Sequence, residues 1–308
     1  MKLVQQVILN RNTLFIFSVV CGLFFPHFAI PLKSFILFIL GFMMTFSLTG
    51  LEMGAKIHFK EIIIPAIGTI LLNYLILSGI LILAAKIFIR DPDFYSGFIL
   101  LAASPPGAAV IPFAFLFQGN VRYAVFGTLG AYLFLLIWVP FILQTFTHTT
   151  GIILGNVIEL MIFIILIPFF ISRFIIIKPF KKMTFNIRGK VVNLCFALII
   201  YVVIGSNQHL LFLESNQLIK LFLILFLCTF GLSIIYEVVG RNLFPFTGYG
   251  TIVTHMMMIS IKNSGFAIAL ALTFYGDKAA IPTLLNGIAV LLNLFIVSIR
   301  FSHKQTQN

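Results

Sequence analysis

Charge is what this sequence has least of. Lys, Arg, Asp and Glu make up 9% of its 308 residues and only 8 of them are acids, whereas soluble domains carry about 25% charged residues. Too few polar groups remain to cover a water-soluble fold, which excludes a soluble enzyme and a disordered tail. Cysteine is equally scarce: Cys21, Cys195 and Cys228 are odd in number and each sits in an apolar stretch, where a thiol behaves as a small hydrophobe. A disulfide scaffold is excluded on that ground. Paired carboxylates at one depth, a metal-spaced His cluster and a Gly-x-Ser-x-Gly turn are all lacking, so we expect no enzyme, no metal and no cofactor.

What is abundant is apolar surface. Hydrophobic residues reach 61%, with Phe at 37 positions, and the mean hydropathy is +1.14. The sequence therefore asks for a bilayer as its solvent. Apolar runs of span length, about 20 residues each, fall at 12–29, 33–51, 60–88, 94–117, 122–146, 152–177, 189–206, 216–239, 249–274 and 279–301. The expected fold is an all-α polytopic membrane protein of ten transmembrane helices. The first run has no small-residue cleavage pattern and is read as a retained span.

The net charge of +12 reflects topology and not a nucleic-acid face, because cytoplasmic loops collect Lys and Arg. Threading the ten runs puts fourteen bases on one side, including Lys60, Arg122 and the cluster from Arg173 to Lys190, and five on the other, Lys33, Lys86, Arg90, Lys220 and Lys278. Both termini are expected in the cytoplasm, and the protein in the cytoplasmic (inner) membrane if it is bacterial. The basic cluster between the halves suits anionic membrane lipids. Lys262 is the one base left in the middle of a span.

The halves repeat weakly. Phe117-Gln118-Gly119-Asn120 matches Phe274-Tyr275-Gly276-Asp277 at an offset of 157, which also carries Pro105, Pro106 and Gly107 onto Lys262, Asn263 and Ser264. Five spans per copy is an odd number, so residues 1–151 and 152–308 form two five-helix repeats of opposite topology, the architecture of secondary transporters. Pro105 and Pro106 remove backbone donors, and Lys262-Asn263-Ser264-Gly265 puts polar and flexible residues at similar depth. Spans four and nine are therefore expected to break and cross near the midplane, where unwound backbone must be packed in protein or line a wet cavity. Half-helix N-termini there suit an anion and freed carbonyls a cation.

With these residues in view, the chain resembles the bile acid:sodium symporter family. The likeness runs from Gly41-Phe42-Met43-Met44-Thr45-Phe46-Ser47-Leu48-Thr49-Gly50 through Ser104-Pro105-Pro106-Gly107-Ala108-Ala109 and Gln118-Gly119-Asn120 to Asn263-Ser264-Gly265-Phe266-Ala267. It implies a panel domain of spans 1, 2, 6 and 7, a core domain of spans 3–5 and 8–10, and alternating-access symport of an organic anion, bound beside the crossover at Pro105, Pro106, Gly107, Ala108, Asn263, Ser264 and Gly265. The chain departs from the family where sodium would bind. Val110 and Ile111 stand for the family's Ser and Asn, Met258 for its Glu and Lys262 for its Gln. Thr128 is left of a hydroxyl-rich stretch, and Asn73 looks like a shortened sodium-binding Gln.

A hard cation needs several oxygen ligands, and these positions offer few. The ammonium of Lys262 is then expected to take the place of a sodium ion, held by carbonyls around Pro105 and by Asn73 and Asn263. Alternatively it gives up a proton in each cycle, or pairs with Glu237 or Glu52 for folding alone. His255 and Glu159 are further polar candidates for the cavity, and Tyr132, Thr254 and Ser260 lesser ones. The expected partners are an organic anion, membrane lipids and protons, with no nucleic acid. A sodium symporter with ligands elsewhere, or a substrate-binding receptor that does not transport, remain as alternatives.

Overall fold

A computed structural model describes residues 11–49, 59–107, 110–146, 155, 159, 162–176, 181–206, 208, 215–243 and 247–305. These residues are helical almost throughout. The only β-type pairing among them is a single antiparallel bridge between Pro106 and Lys262. Among the described residues five helices are long and apolar enough to cross a membrane: Pro26–Phe46, Lys60–Phe88, Val121–Phe146, Met183–Ser206 and Asn216–Asn242.

In chain order the principal helices are α1 (Arg11–Phe24), α2 (Ile36–Leu48), α3 (Phe59–Thr69), α4 (Ser78–Phe88), α5 (Pro92–Ala103), α6 (Val110–Leu116) and α7 (Val121–Phe146). There follow α8 (Ile167–Ile175), α9 (Lys181–Ser206), α10 (Ser215–Phe226), α11 (Leu232–Leu243), α12 (Tyr249–Met258), α13 (Ser264–Phe274) and α14 (Asp277–Gln305). A π-helical segment, Ile70–Leu77, joins α3 to α4, and another, Leu227–Gly231, joins α10 to α11.

The helices are apolar on their outer as well as their inner faces. On α7, Ala131, Leu135 and Val139 are buried while Leu133 and Ile137 are 61% and 69% exposed. A helix that is hydrophobic all round belongs in a core or a membrane, and these outer faces have no protein to cover them. With hydrocarbon outside, apolar burial no longer drives helix association, and close packing of small residues takes over. Gly97 is one such contact: a Cβ there would run into the Ala279 carbonyl and the Pro282 ring of α14.

One expected boundary moves. The apolar runs put the first loop near residues 30–32, but the chain leaves helix at Phe25 (φ −127°, ψ 54°), ahead of Pro26, and then runs helically to Leu48. Proline disfavours helix at the residue before it and suits the first helical position. Pro31 is absorbed in the helical turn Ala29–Leu32.

Packing sorts the helices into two groups. α9 lies against α1 and α2, and α8 against α2; separately, α3 packs on α7, and α14 on α5, α10 and α13. The groups touch where α13 meets α2 and α14 meets α9. Boundaries also recur at 157 residues: α5 and α12 start at Pro92 and Tyr249, α3 and α10 end at Thr69 and Phe226, and the π segments between helices start at Ile70 and Leu227.

Ion pairs tie ends of helices that the charge pattern puts on the same side. Lys33 meets Asp277 at 2.6 Å and Lys278 meets Asp91 at 2.8 Å on one side, and Arg122 meets Glu61 at 2.7 Å on the other. Asp91 also caps α5 by accepting from the N–H groups of Asp93 and Phe94. Partial burial opposes its charge, but the Lys278 ammonium and the two N–H groups outweigh this and hold its carboxyl below the usual value. The depressed value makes its stabilising effect full above the unfolded carboxylate pKa, about 3.9, and lost as pH falls through the folded one. Asp91→Ala should lower stability by about 1 kcal/mol, as for other N-caps. In thermal unfolding across pH, the difference from wild type should shrink toward acid.

Candidate functional site

Both broken helices are present where the prolines and the Lys-Asn-Ser-Gly stretch put them. α5 ends at Ala103 and helix resumes at Val110; α12 ends at Met258 and α13 begins at Ser264. Between these ends the segments run antiparallel and exchange backbone bonds, Asn263 N–H to Pro105 O at 2.7 Å and Gly107 N–H to Ile261 O at 3.3 Å. Gly107 is required for the approach, because a Cβ would lie 2.9 Å from Ile261 and 3.3 Å from the Lys262 carbonyl. Ala108 lies outside the described residues.

Breaking two helices inside a buried core frees carbonyls that need donors. Lys262 is 3% exposed, and its Nζ donates to Ser78 Oγ at 2.9 Å, Ala102 O at 3.1 Å and Ser104 O at 2.8 Å. It also stands 4.8 Å from the centre of the Tyr74 ring, a favourable cation–π arrangement. Asn73 serves the other break with its amide nitrogen, which donates to Met258 O at 2.7 Å and Ile261 O at 3.1 Å. Nitrogen donors thus occupy carbonyls at both breaks.

The contacts of Ser78 favour the charged form of Lys262. Its Oγ lies 2.6 Å from Ala102 O and 3.1 Å from Asn73 O, so its single hydrogen is committed to a carbonyl. Ser78 then faces Lys262 as an acceptor, as do the two carbonyls, and three acceptors match the three N–H groups of an ammonium. A neutral amine would have to accept the Ser78 hydrogen, which would leave the 2.6 Å contact between Ser78 Oγ and Ala102 O without one. Hydrogen bonds to a charged group contribute about 1.5–3 kcal/mol each, so three of them offset an insertion cost of about 2.5–3.5 kcal/mol for a base at mid-membrane depth.

The expected ligand set needs correction. Lys262 does take carbonyls next to Pro105, but none of its bonds goes to the side chain of Asn73 or Asn263. Asn73 competes for carbonyls as a fellow donor, and Asn263 caps α13, accepting from Phe266 N–H at 3.1 Å and donating to Tyr132 Oη at 2.9 Å. Nor does Lys262 pair with Glu237, whose carboxylate meets Arg241 at 2.6 Å; Glu52 lies outside the described residues. Ser78 and Tyr74 were missed, although they sit four residues apart and Tyr74 directly follows Asn73.

The remaining candidates separate. Val110, Ile111 and Met258 are buried apolar side chains. Thr128 is buried, and its hydroxyl, like those of Thr69 and the Oδ1 of Asn73, has no hydrogen-bond partner among the described residues. His255 bonds Tyr236 Oη through Nδ1 at 2.7 Å and lies edge-on to Tyr123 at 4.5 Å, away from the partners of Lys262. Glu159 is exposed on a helical residue. Thr254 and Ser260 bond back to Gly250 O and Met256 O, as hydroxyls in helices commonly do.

Beside the crossing, the N-terminus of α13 carries Ser264, whose Oγ accepts from Asn286 Nδ2 at 2.9 Å. Gly265 packs against Met43 and Leu40 of α2, and Met44 Sδ lies 3.8 Å from the Asn263 amide. Helix N-termini carry partial positive charge. Ser264 and Asn286 are both buried, and the Oδ1 of Asn286 has no hydrogen-bond partner among the described residues. Among the described residues no group of three or more His, Cys, Asp or Glu is placed to hold a metal ion.

The chain matches no protein-family model, and no curated protein matches it significantly. Ser78→Ala, which removes one of three ammonium ligands, should cost about 1.5–3 kcal/mol. Chemical denaturation in detergent measures this, and Ser78→Thr, which keeps the hydroxyl, should recover most of the loss.

Proposed function

We propose that this protein is a secondary carrier of a small or amphipathic organic anion, working by alternating access without sodium. The observation that carries the reading is the crossing itself: two broken helices meet in the buried interior, and the ammonium of Lys262 holds the oxygens of Ser78, Ala102 and Ser104. That is the service a bound cation performs in carriers built on broken helices. The matched donors and acceptors support a fixed charge over a proton released in each cycle.

Ten spans in two inverted repeats are part of the same reading. The helix boundaries that recur at 157 residues support the repeat. The ion pairs between same-side ends support the topology, with both termini cytoplasmic. The two packing groups correspond to the panel (α1, α2, α8, α9) and core (α3–α7, α10–α14) of the bile acid:sodium symporter family, in which we place the chain. The anion would bind beside the crossing at the start of α13, at Ser264 and Gly265, between core and panel, and movement of one group against the other would expose it to each side in turn.

A second reading, a sodium symporter, draws on the unpartnered oxygens of Asn73, Thr69 and Thr128. Uptake of a panel of radiolabelled carboxylates and bile-acid-like anions into proteoliposomes separates the two. Saturable uptake is expected to be equal in sodium and choline chloride and abolished in Lys262→Met, with the variant still folded by thermal unfolding. Sodium-stimulated uptake would select the second reading. Normal flux in Lys262→Met would end the role given to the ammonium.

A further inference from the structure

The crossing leaves unused a groove of about 270 Å³, on the side of the Arg122–Glu61 ion pair. One wall is the start of α3, with Lys60, Glu61 and Ile64, and the other is the start of α7, with Asn120, Arg122 and Tyr123. α3 and α7 pack against each other, and both begin here. They open two of the five helices long and apolar enough to cross a membrane, Lys60–Phe88 and Val121–Phe146.

Charge at this groove is positive. Arg122 shares its guanidinium with Glu61 at 2.7 Å, with 58% of its side chain still exposed. Lys60 is exposed and has no ion-pair partner among the described residues. The two helix N-termini add partial positive charge of the same sign. Asn120 is already committed, its Oδ1 capping Tyr123 N–H at 3.0 Å and its Nδ2 reaching Thr251 Oγ1 at 3.3 Å.

From the groove an apolar stripe runs along the outer face of the same helical stretch. Ile64, Ile67 and Leu71 are 63%, 53% and 47% exposed, at a spacing that keeps them on one face. A free anion would gain nothing from that stripe. A phospholipid would use both parts, because basic pockets between membrane helices take anionic headgroups while apolar helix faces meet acyl chains.

We propose that this groove binds the phosphate of an anionic phospholipid, with Lys60 and Arg122 on the phosphate and the acyl chains along Ile64, Ile67 and Leu71. The bound lipid clamps the starts of α3 and α7 together. Through the Asn120–Thr251 contact it also steadies the start of α12, which leads to Lys262. The site does not depend on whether the crossing transports a solute.

The test is native mass spectrometry of protein released from mixed phosphatidylglycerol and phosphatidylcholine nanodiscs. Wild type should retain phosphatidylglycerol in preference, Lys60→Met should lose one such lipid per chain, and Lys60→Arg should keep it. Lys60 is exposed, so folding should survive the change, and the Lys262→Met variant should bind lipid like wild type. Equal phosphatidylglycerol retention in wild type and Lys60→Met would overturn the proposal. So would a melting-temperature increase with millimolar inorganic phosphate that depends on Lys60 and is not matched by phosphatidylglycerol, which would make the groove a free-anion site.

Discussion

Everything at the centre of this protein depends on who donates to the carbonyls freed by two broken helices. In a water-filled site solvent would do it, and in hydrocarbon an unsatisfied carbonyl costs several kcal/mol. Here the chain supplies its own donors. Lys262 reaches back across the crossing to Ala102 and Ser104, and Asn73 reaches forward to Met258 and Ile261. Each break is thus closed by a side chain from outside its own span, and each donor is charged or carries two N–H groups. The arrangement ties the π segment Ile70–Leu77, α4, α5 and the break between α12 and α13 into one unit, because losing any contact strands a buried polar atom.

The interface between the two helix groups is of another kind. Where α13 meets α2, Gly265 faces Met43 and Leu40, and the Met44 thioether lies 3.8 Å from the Asn263 amide. Thioether and aliphatic contacts are adaptable and non-directional, so sliding across them strands no hydrogen bond. Directional hydrogen bonding thus lies within one group and adaptable packing between the groups. The start of α13 lies at that contact, so in the proposed carrier binding there and movement of the groups would be parts of one event.

Much of the architecture is legible in one dimension because the membrane enforces it. A shortage of charge and long apolar runs leave helices as the only way to satisfy the backbone in lipid, and the positions of α3, α7 and α10 follow closely from those runs. Pro105-Pro106 and Lys262-Asn263-Ser264-Gly265 mark the breaks, since proline removes donors and a base in an apolar run demands partners. Phe25 was harder. Two prolines, Pro26 and Pro31, lie five residues apart, and local preference alone does not say which one ends the helix.

The ligands of Lys262 were only partly legible. That carbonyls near Pro105 would hold it follows from the break, but Ser78 and Tyr74 come from α4 and the π segment before it, more than 180 residues away in sequence. Asn73 looked like a companion ligand because an amide carries both an acceptor and a donor, and sequence does not say which end faces inward. The sequence by itself determined that the chain is a helical membrane protein with two interrupted spans and one base between them, because apolar length, proline and charge act locally. Only the tertiary structure decided which three oxygens surround the Nζ of this base and that Asn73 is its fellow donor, because partners are set by whichever atoms the packed helices bring to about 3 Å.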